Sequence, residues 1–339
     1  MVRMGEFELL GRIRERLPAS GPRTHLGSGD DAAITLPAGA TATSVDALVD
    51  GVHFRRDLAS PAQIGHKALA TALSDLAAMG AEAGEAYVVL GLPPDFGEEE
   101  CIELLDGMAA LAAATGTDLA GGDLTRSDQL FLAITVVGHA PNPQALVQRA
   151  GARPGDALVL TGEIGGAAAG LELLKSRDPE ADFAFRGHMG HLKAKSAMEA
   201  LVERQLGPTP RLAAGRALAL AEATAMIDLS DGLGADAGHL AQASGVKLEI
   251  EAAAVPLAPA AMALSEATGR EPWWLLGGGE DYELLACVPP ARLEQATAEV
   301  LDKGGIPLTP VGEVRTGSGV EIRLPGGGLL EPGGFDQLA

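Results

Sequence analysis

The sequence predicts an α/β (α+β) protein in two parts. Three observations carry this reading. Apolar runs with strand character alternate with helical ones along the chain, and aliphatic residues and alanine dominate while aromatics make up only 3% of 339 residues. The alternation is interrupted between Ala140 and Asp156, where Pro141, Pro143 and Pro154 cluster. The parts are expected at residues 1–140 and 149–339.

Residues 1–16 read as an amphipathic helix, with Phe7, Leu9, Leu10 and Ile13 on or near one face. After Gly21-Pro22, strands are expected at Ala32–Leu36 and Thr41–Val45. Ser60-Pro61 starts a helix, because serine caps and proline fits the first helical position. Along it Leu69, Leu73, Leu76 and Gly80 form one stripe, with Lys67, Thr71 and Asp75 on the other side, so Asp75 can face a site. A strand at Tyr87–Leu92, a helix at Glu98–Thr115 and strands at Asp118–Ala120 and Leu130–Gly138 complete the first part.

In the second part, strands are expected at Ala157–Thr161, Ala225–Asp228, Lys247–Ile250, Tyr282–Val288 and Pro310–Val314. Helices are expected at Gly165–Leu174, Leu212–Ala223 and Leu233–Ala243. Residues 176–210 collect irregular, basic and histidine-bearing sequence and read as a mobile excursion between helices.

Composition excludes several classes. A formal charge of −21 and the lack of a lysine/arginine tract argue against nucleic acid. Cys101 and Cys287 sit far apart in apolar surroundings at no metal or redox spacing, as reduced core residues would. With no signal core at the N-terminus and no uncharged window of membrane length, a cytoplasmic, soluble protein is expected.

Six segments set acids among glycines, alanines and aliphatics. They are Gly27-Ser-Gly-Asp30-Asp31, Ser44-Val45-Asp46 running on to Asp50-Gly-Val-His53-Phe54, Leu73-Ser-Asp75-Leu, Gly121-Gly122-Asp123, Ile227-Asp228-Leu-Ser230-Asp231-Gly and Gly278-Gly-Glu280-Asp281-Tyr. An unpartnered buried carboxylate costs several kcal/mol. Too few basic residues lie nearby to neutralise them all, so divalent cations are the leading explanation, and oxygen donors favour magnesium, manganese or calcium.

Other phosphate and catalytic motifs fail. The chain has no Gly-Lys pair, which excludes a P-loop. Gly232-Leu-Gly234-Ala-Asp-Ala237 imitates a dinucleotide fingerprint, but its acids would repel a pyrophosphate. Asp95-Phe96-Gly97 spells a kinase triplet without its partners and reads as a turn. His188 and His191 lack a third ligand and read as an exposed loop. No serine lies in a nucleophile elbow.

Taken in order, the six segments, with Ile64-Gly-His-Lys67-Ala-Leu-Ala-Thr-Ala-Leu-Ser-Asp75 around the third, resemble the thiamine-monophosphate kinase family over nearly the whole chain. That family belongs with aminoimidazole ribonucleotide synthetase. The resemblance implies ATP-dependent phosphorylation of thiamine monophosphate to thiamine diphosphate. It also implies a homodimer paired through its N-terminal sheets, with the active site between the domains.

Carried over by position, the resemblance makes Asp30, Asp46, Asp75, Asp123, Asp228 and Asp231 magnesium ligands, with Ser44 and the Val45 carbonyl as auxiliary ones. Gly122, Asp123, Arg149 and Ser230 match positions that touch ATP, and His53, Glu280 and Phe335 match positions that contact thiamine monophosphate. Asp123, Asp228 and Asp231 take the catalytic role on the nucleotide metals. A monovalent cation is left open. His53 stands equally as a packed histidine, and Phe335 could instead close the C-terminal core. Asp31, Asp50, Asp236 and Asp281 read as capping or structural. Aminoimidazole ribonucleotide synthetase is the enzymatic runner-up; from another class, a non-catalytic nucleotide-binding partner stays open.

Overall fold

The computed structural model describes residues 6–16, 22–27, 32–37, 39–175 and 191–335. The chain divides into two compact units, residues 1–76 with 81–145 and residues 77–80 with 146–339.

The first unit holds α1 (Glu6–Arg14), a two-stranded ribbon of β1 (Thr24–Leu26) and β2 (Ile34–Thr35), β3 (Ala40–Val49), most of α2 (Pro61–Ala78), β4 (Glu82–Leu92), α3 (Glu98–Thr115), β5 (Asp118–Arg126) and β6 (Phe131–Ala140). Its main sheet runs β3-β6-β4-β5, with only the β4–β5 pair parallel. That pair brackets α3, the crossover that a parallel connection requires.

The starts of the helices follow from local chemistry. The Ser60 hydroxyl accepts from the Gln63 amide while the Gln63 side chain accepts from the Ser60 amide, a reciprocal cap before Pro61. Glu100 does the same for the Gly97 amide at 2.6 Å, and Gly116 ends α3 at φ 71°. Lys67, Thr71 and Ser74 of α2 are buried, so the side opposite the leucine stripe is covered as well.

α2 and α3 meet at bare backbone. A Cβ on Gly65 would fall 1.9 Å from the Leu104 carbonyl oxygen, and one on Gly107 would fall 2.0 Å from that of Ala62. The pairing of 65 with 104 and 62 with 107 makes the helices antiparallel. Only glycine permits so close a crossing.

The second unit contains β7 (Ala157–Thr161), α4 (Gly166–Lys175), α5 (His191–Leu206), α6 (Leu212–Leu220), β8 (Ala225–Asp228), α7 (Leu233–Ser244), β9 (Lys247–Glu251), α8 (Pro259–Thr268), β10 (Leu284–Val288), α9 (Leu293–Glu299), β11 (Leu308–Arg315), β12 (Gly319–Arg323) and β13 (Leu329–Leu330). The sheet order is β13-β12-β9-β11-β7-β10-β8, antiparallel except between β9 and β12. Every residue of β10 is buried. Alternate side chains of the central strands feed two cores: Leu158, Leu160, Ile227, Leu285 and Cys287 on one face, Val159, Met226, Leu284, Ala286 and Val288 on the other. Pro310 is tolerated in an inner strand because a bulge between Pro310 and Gly312 interrupts the ladder there.

α5 corrects the expectation of an irregular excursion over 176–210. Residues 191–206 form a regular helix, with Ala197, Met198 and Leu201 packed toward α4 and α8. Residues 176–190, with His188, lie outside the described residues, and His191 begins the helix. Cys101 and Cys287 are free and buried, and burial pushes the Cys101 thiol up to about 11.

Candidate functional site

In the first unit, strand alternation sorts the Ser44-Val45-Asp46 segment. Ser44 and Asp46 are half-buried on the side of β3 that carries buried Leu48, whereas the Val45 side chain is 65% exposed on the other side. The Ser44 hydroxyl donates to the Asp75 carboxylate of α2. Asp46 is close enough to feel that charge. Burial first, and then Asp75, push its carboxyl from 3.8 up to about 6.

Two carboxylates and a hydroxyl thus converge in partly dry surroundings. This all-oxygen set, in which the Asp75 charge adds to the proton affinity of Asp46, fits a hard divalent cation. No group of three or more His, Cys, Asp or Glu side chains placed to hold a metal ion forms among the described residues. Asp30 and Asp31 lie outside the described residues.

Asp123 is exposed on β5, in register with Val89 of β4. Its neighbour Gly122 is required by the sheet itself, since a Cβ there would fall 2.0 Å from the Val88 carbonyl oxygen. Both residues border a cavity of about 50 Å³ lined with Leu10, Ile13, Val88 and Leu105. His53 follows β3 in a turn, where its Nδ1 accepts from the Val49 amide at 3.1 Å and its carbonyl accepts from Lys67 Nζ at 3.4 Å. The packed reading of His53 therefore has concrete partners. Asp50 accepts from the Arg56 amide, as a turn-holding residue would.

In the second unit, three loops converge. Asp228 is buried at the end of β8 opposite Leu284. The following turn is held by Asp236 of α7, whose carboxylate accepts from the amides of Asp231 and Gly232, both at 3.0 Å. Burial pushes Asp236 up to about 7, with nearby Asp231 adding to the shift and the amide bonds opposing it.

The Glu280 amide donates to the Ser230 carbonyl, the Tyr282 amide to that of Leu229, and the Phe335 amide to that of Asp231. A Cβ on Gly279 would strike the Ser230 oxygen at 2.4 Å, so the sequence Gly277-Gly-Gly is what lets these strands of chain approach. Ser230, Asp231, Glu280 and Phe335 are thereby brought together at the N-terminal end of α7. Arg149 is not among them. Its carbonyl accepts from Ser244 at the far end of α7, about 18 Å away along a twelve-residue helix.

Glu280 and Tyr282 adopt φ of 69° and 51°, unusual for residues with side chains. Between them Asp281 turns inward and accepts from the amides of Gly165 and Ala167 at 2.7 and 3.2 Å, capping α4. Burial raises its carboxyl to about 6 against those two hydrogen bonds. Asp236 and Asp281 are thus structural, as read from their settings in the sequence.

Sequence reasoning missed four residues here. Glu283 is fully buried and receives Arg211 through two bonds of 3.0 and 2.6 Å, with Arg204 at 3.6 Å and the Thr161 hydroxyl at 2.7 Å. Gln205 donates to Glu280 at 2.5 Å. Arg204 and Gln205 fall in the segment read as irregular, and Arg211 directly follows it. The helical spacing of Met198, Leu201 and Gln205 was the signal that could have placed them.

The N-terminal domain of AIR synthase related protein matches residues 29–140, and the C-terminal domain of AIR synthase related protein matches residues 153–325. The thiamine-monophosphate kinase of Escherichia coli (strain K12) is 40% identical over 316 residues, covering 91% of this chain and 90% of that protein. The crystal structure of thiamine-monophosphate kinase from Stenotrophomonas maltophilia K279a is 33% identical with a TM-score of 0.79, covering 94% and 96% of the two chains. The structure of AaThiL complexed with AMPPCP and TMP is 30% identical with a TM-score of 0.73, covering 98% of each chain.

Proposed function

The chain belongs to the thiamine-monophosphate kinase family within the AIR synthase related proteins, and from that premise we propose that it phosphorylates thiamine monophosphate to thiamine diphosphate with ATP as donor. The observation that carries this reading is the similarity along 98% of both chains to a structure holding an ATP analogue and TMP together. It joins the three-loop convergence of Ser230, Asp231, Glu280 and Phe335 described above.

The transfer is direct and in line, without a phospho-enzyme. The attacking phosphate oxygen is ionised at neutral pH, so no general base is needed. This fits a site rich in carboxylates with His53 engaged by the backbone. Magnesium, when bound, supplies the charge neutralisation that a protein of net charge −21 cannot. Asp30, Asp46, Asp75, Asp123, Asp228 and Asp231 would hold it, with Ser44 and the Val45 carbonyl assisting. Gly122, Arg149 and Ser230 contact ATP. His53, Glu280 and Phe335 position the acceptor.

The first unit pairs with a second copy through its sheet and contributes metal and nucleotide ligands. Support comes from the exposed Val45 and Ala47 and the half-buried Tyr87, Val89 and Phe131 on neighbouring strands. Residues from 149 onward form the α/β partner domain. No helix among the described residues is long and apolar enough to cross a membrane. A cytoplasmic setting suits the two buried free thiols.

Incubating the protein with magnesium, ATP and thiamine monophosphate tests the activity; failure to form thiamine diphosphate rejects it. Inversion at a chiral γ-phosphorus is expected, and retention rejects direct transfer. Sedimentation as a monomer rejects the dimer.

A further inference from the structure

Gln205, near the C-terminal end of α5, is only 3% exposed although its side chain is a primary amide. Its Nε2 donates to Glu280 Oε2 at 2.5 Å. Its Oε1 is buried with no hydrogen-bond partner among the described residues. A buried acceptor left unmade normally costs far more than an exposed one, so such an atom calls for a functional account.

The residue it grips is unusual in its own right. Glu280 stands at φ 69°, held there by its amide bond to Ser230, by the inward cap of Asp281 on α4 and by the second positive φ at Tyr282. Strain of this kind persists only where the surroundings over-determine it, and it gathers at ligand sites. Gln205 adds a further constraint from a different helix, 75 residues away in sequence. The close backbone crossing of α4 and α5 fixes its approach: a Cβ on Gly170 would meet the Leu201 carbonyl at 2.0 Å and the Gln205 Cβ at 3.1 Å.

Resting on the kinase reading above, we propose that Gln205 is a positioning residue of the acceptor site. Its Nε2 locks the Glu280 carboxylate in place, and its unpaired Oε1 takes a hydrogen bond from the exocyclic amine of the acceptor's aminopyrimidine ring. A carboxylate and an amide oxygen side by side form an all-acceptor edge, which selects a donor-bearing heteroaromatic and rejects one that presents an oxygen.

The test uses the full chain and its steady-state kinetics with ATP and two acceptors, thiamine monophosphate and its analogue with a hydroxyl in place of the ring amine. Gln205→Met preserves volume but supplies neither donor nor acceptor of comparable strength. It should raise the KM for thiamine monophosphate about tenfold, leave kcat and the KM for ATP within about twofold, and reduce the preference for amine over hydroxyl by a similar factor. Gln205→Glu should be worse than the methionine variant, because it sets a second carboxylate against Glu280.

If Gln205 merely fills space, methionine will match the wild type in every constant, and that result overturns the proposal. An unchanged amine preference with a raised KM overturns the role given to Oε1. Wild-type protein that turns over neither acceptor overturns the kinase reading itself, whereas an active wild type with an indifferent Gln205→Met removes this inference alone.

Discussion

Ser44 on β3 and Asp75 on α2 share a hydrogen bond across 31 residues of sequence, and it fastens the helix to the strand at the point where Asp46 also turns inward. The first expectation concerns Asp75→Asn. Asparagine keeps an oxygen to accept from Ser44 but removes the charge that helps raise Asp46. Turnover of ATP and thiamine monophosphate should fall on the order of a hundredfold or more, while the metal-free protein melts no lower than the wild type. Near-normal turnover would take Asp75 out of the metal site.

The glycine notch between α2 and α3 yields a stability prediction that is independent of function. Gly65→Ala sets a methyl 1.9 Å from a carbonyl oxygen of the opposing backbone, which cannot swing away as a side chain can. The change should cost about 3 kcal/mol or more in urea unfolding. Gly238→Ala in α7, where nothing lies within 4 Å, should instead stabilise by up to about 1 kcal/mol through helix propensity. Equal effects at the two positions would reject the notch.

How legible these features were depends on how far apart their causes lie. α3, β7 and β8 appear at the residues expected, because glycine, proline and apolar runs bound them locally. β3 extends to Val49, beyond the expected Val45, since an inward-facing aspartate at position 46 breaks the alternation by which a strand is recognised. α5 was missed because its apolar positions are sparse among charged ones. Which strands run antiparallel has no local signal at all. In the site, the acids were visible one by one from their apolar settings. Their partners were not: Gln205 lies 75 residues from Glu280 and Arg211 lies 72 from Glu283, and only folding joins them.

Asp281 gives the stability a distinctive pH dependence. Its carboxyl titrates near 6 in the folded chain, against an ordinary value of 3.8, because burial outweighs the Gly165 and Ala167 amides. The folded state therefore takes up the proton first as pH falls. Its contribution is complete below about pH 4 and is lost as pH rises through 6, amounting to about 3 kcal/mol at most. Urea midpoints of wild-type and Asp281→Asn protein, measured at pH 4 and 6.5 without metal, should show a steeper loss with rising pH in the wild type. Parallel profiles would show that Asp281 does not titrate in this window.

The sharpest test of the second unit is the Glu283–Arg211 pair. Glu283 has no exposure, and its charge is met by two Arg211 bonds, a more distant Arg204 and a Thr161 hydroxyl that itself accepts from the Leu284 amide. Arg211→Met strands a buried carboxylate and should cost about 3–5 kcal/mol. Glu283→Leu likewise leaves Arg211 without its main partner. The double variant removes both charges together and should be markedly more stable than the sum of the singles predicts, because each single change carries the penalty of an orphaned ion. Strict additivity in a urea-unfolding cycle would mean that the two side chains do not neutralise each other, and Arg204 would then be the partner that matters.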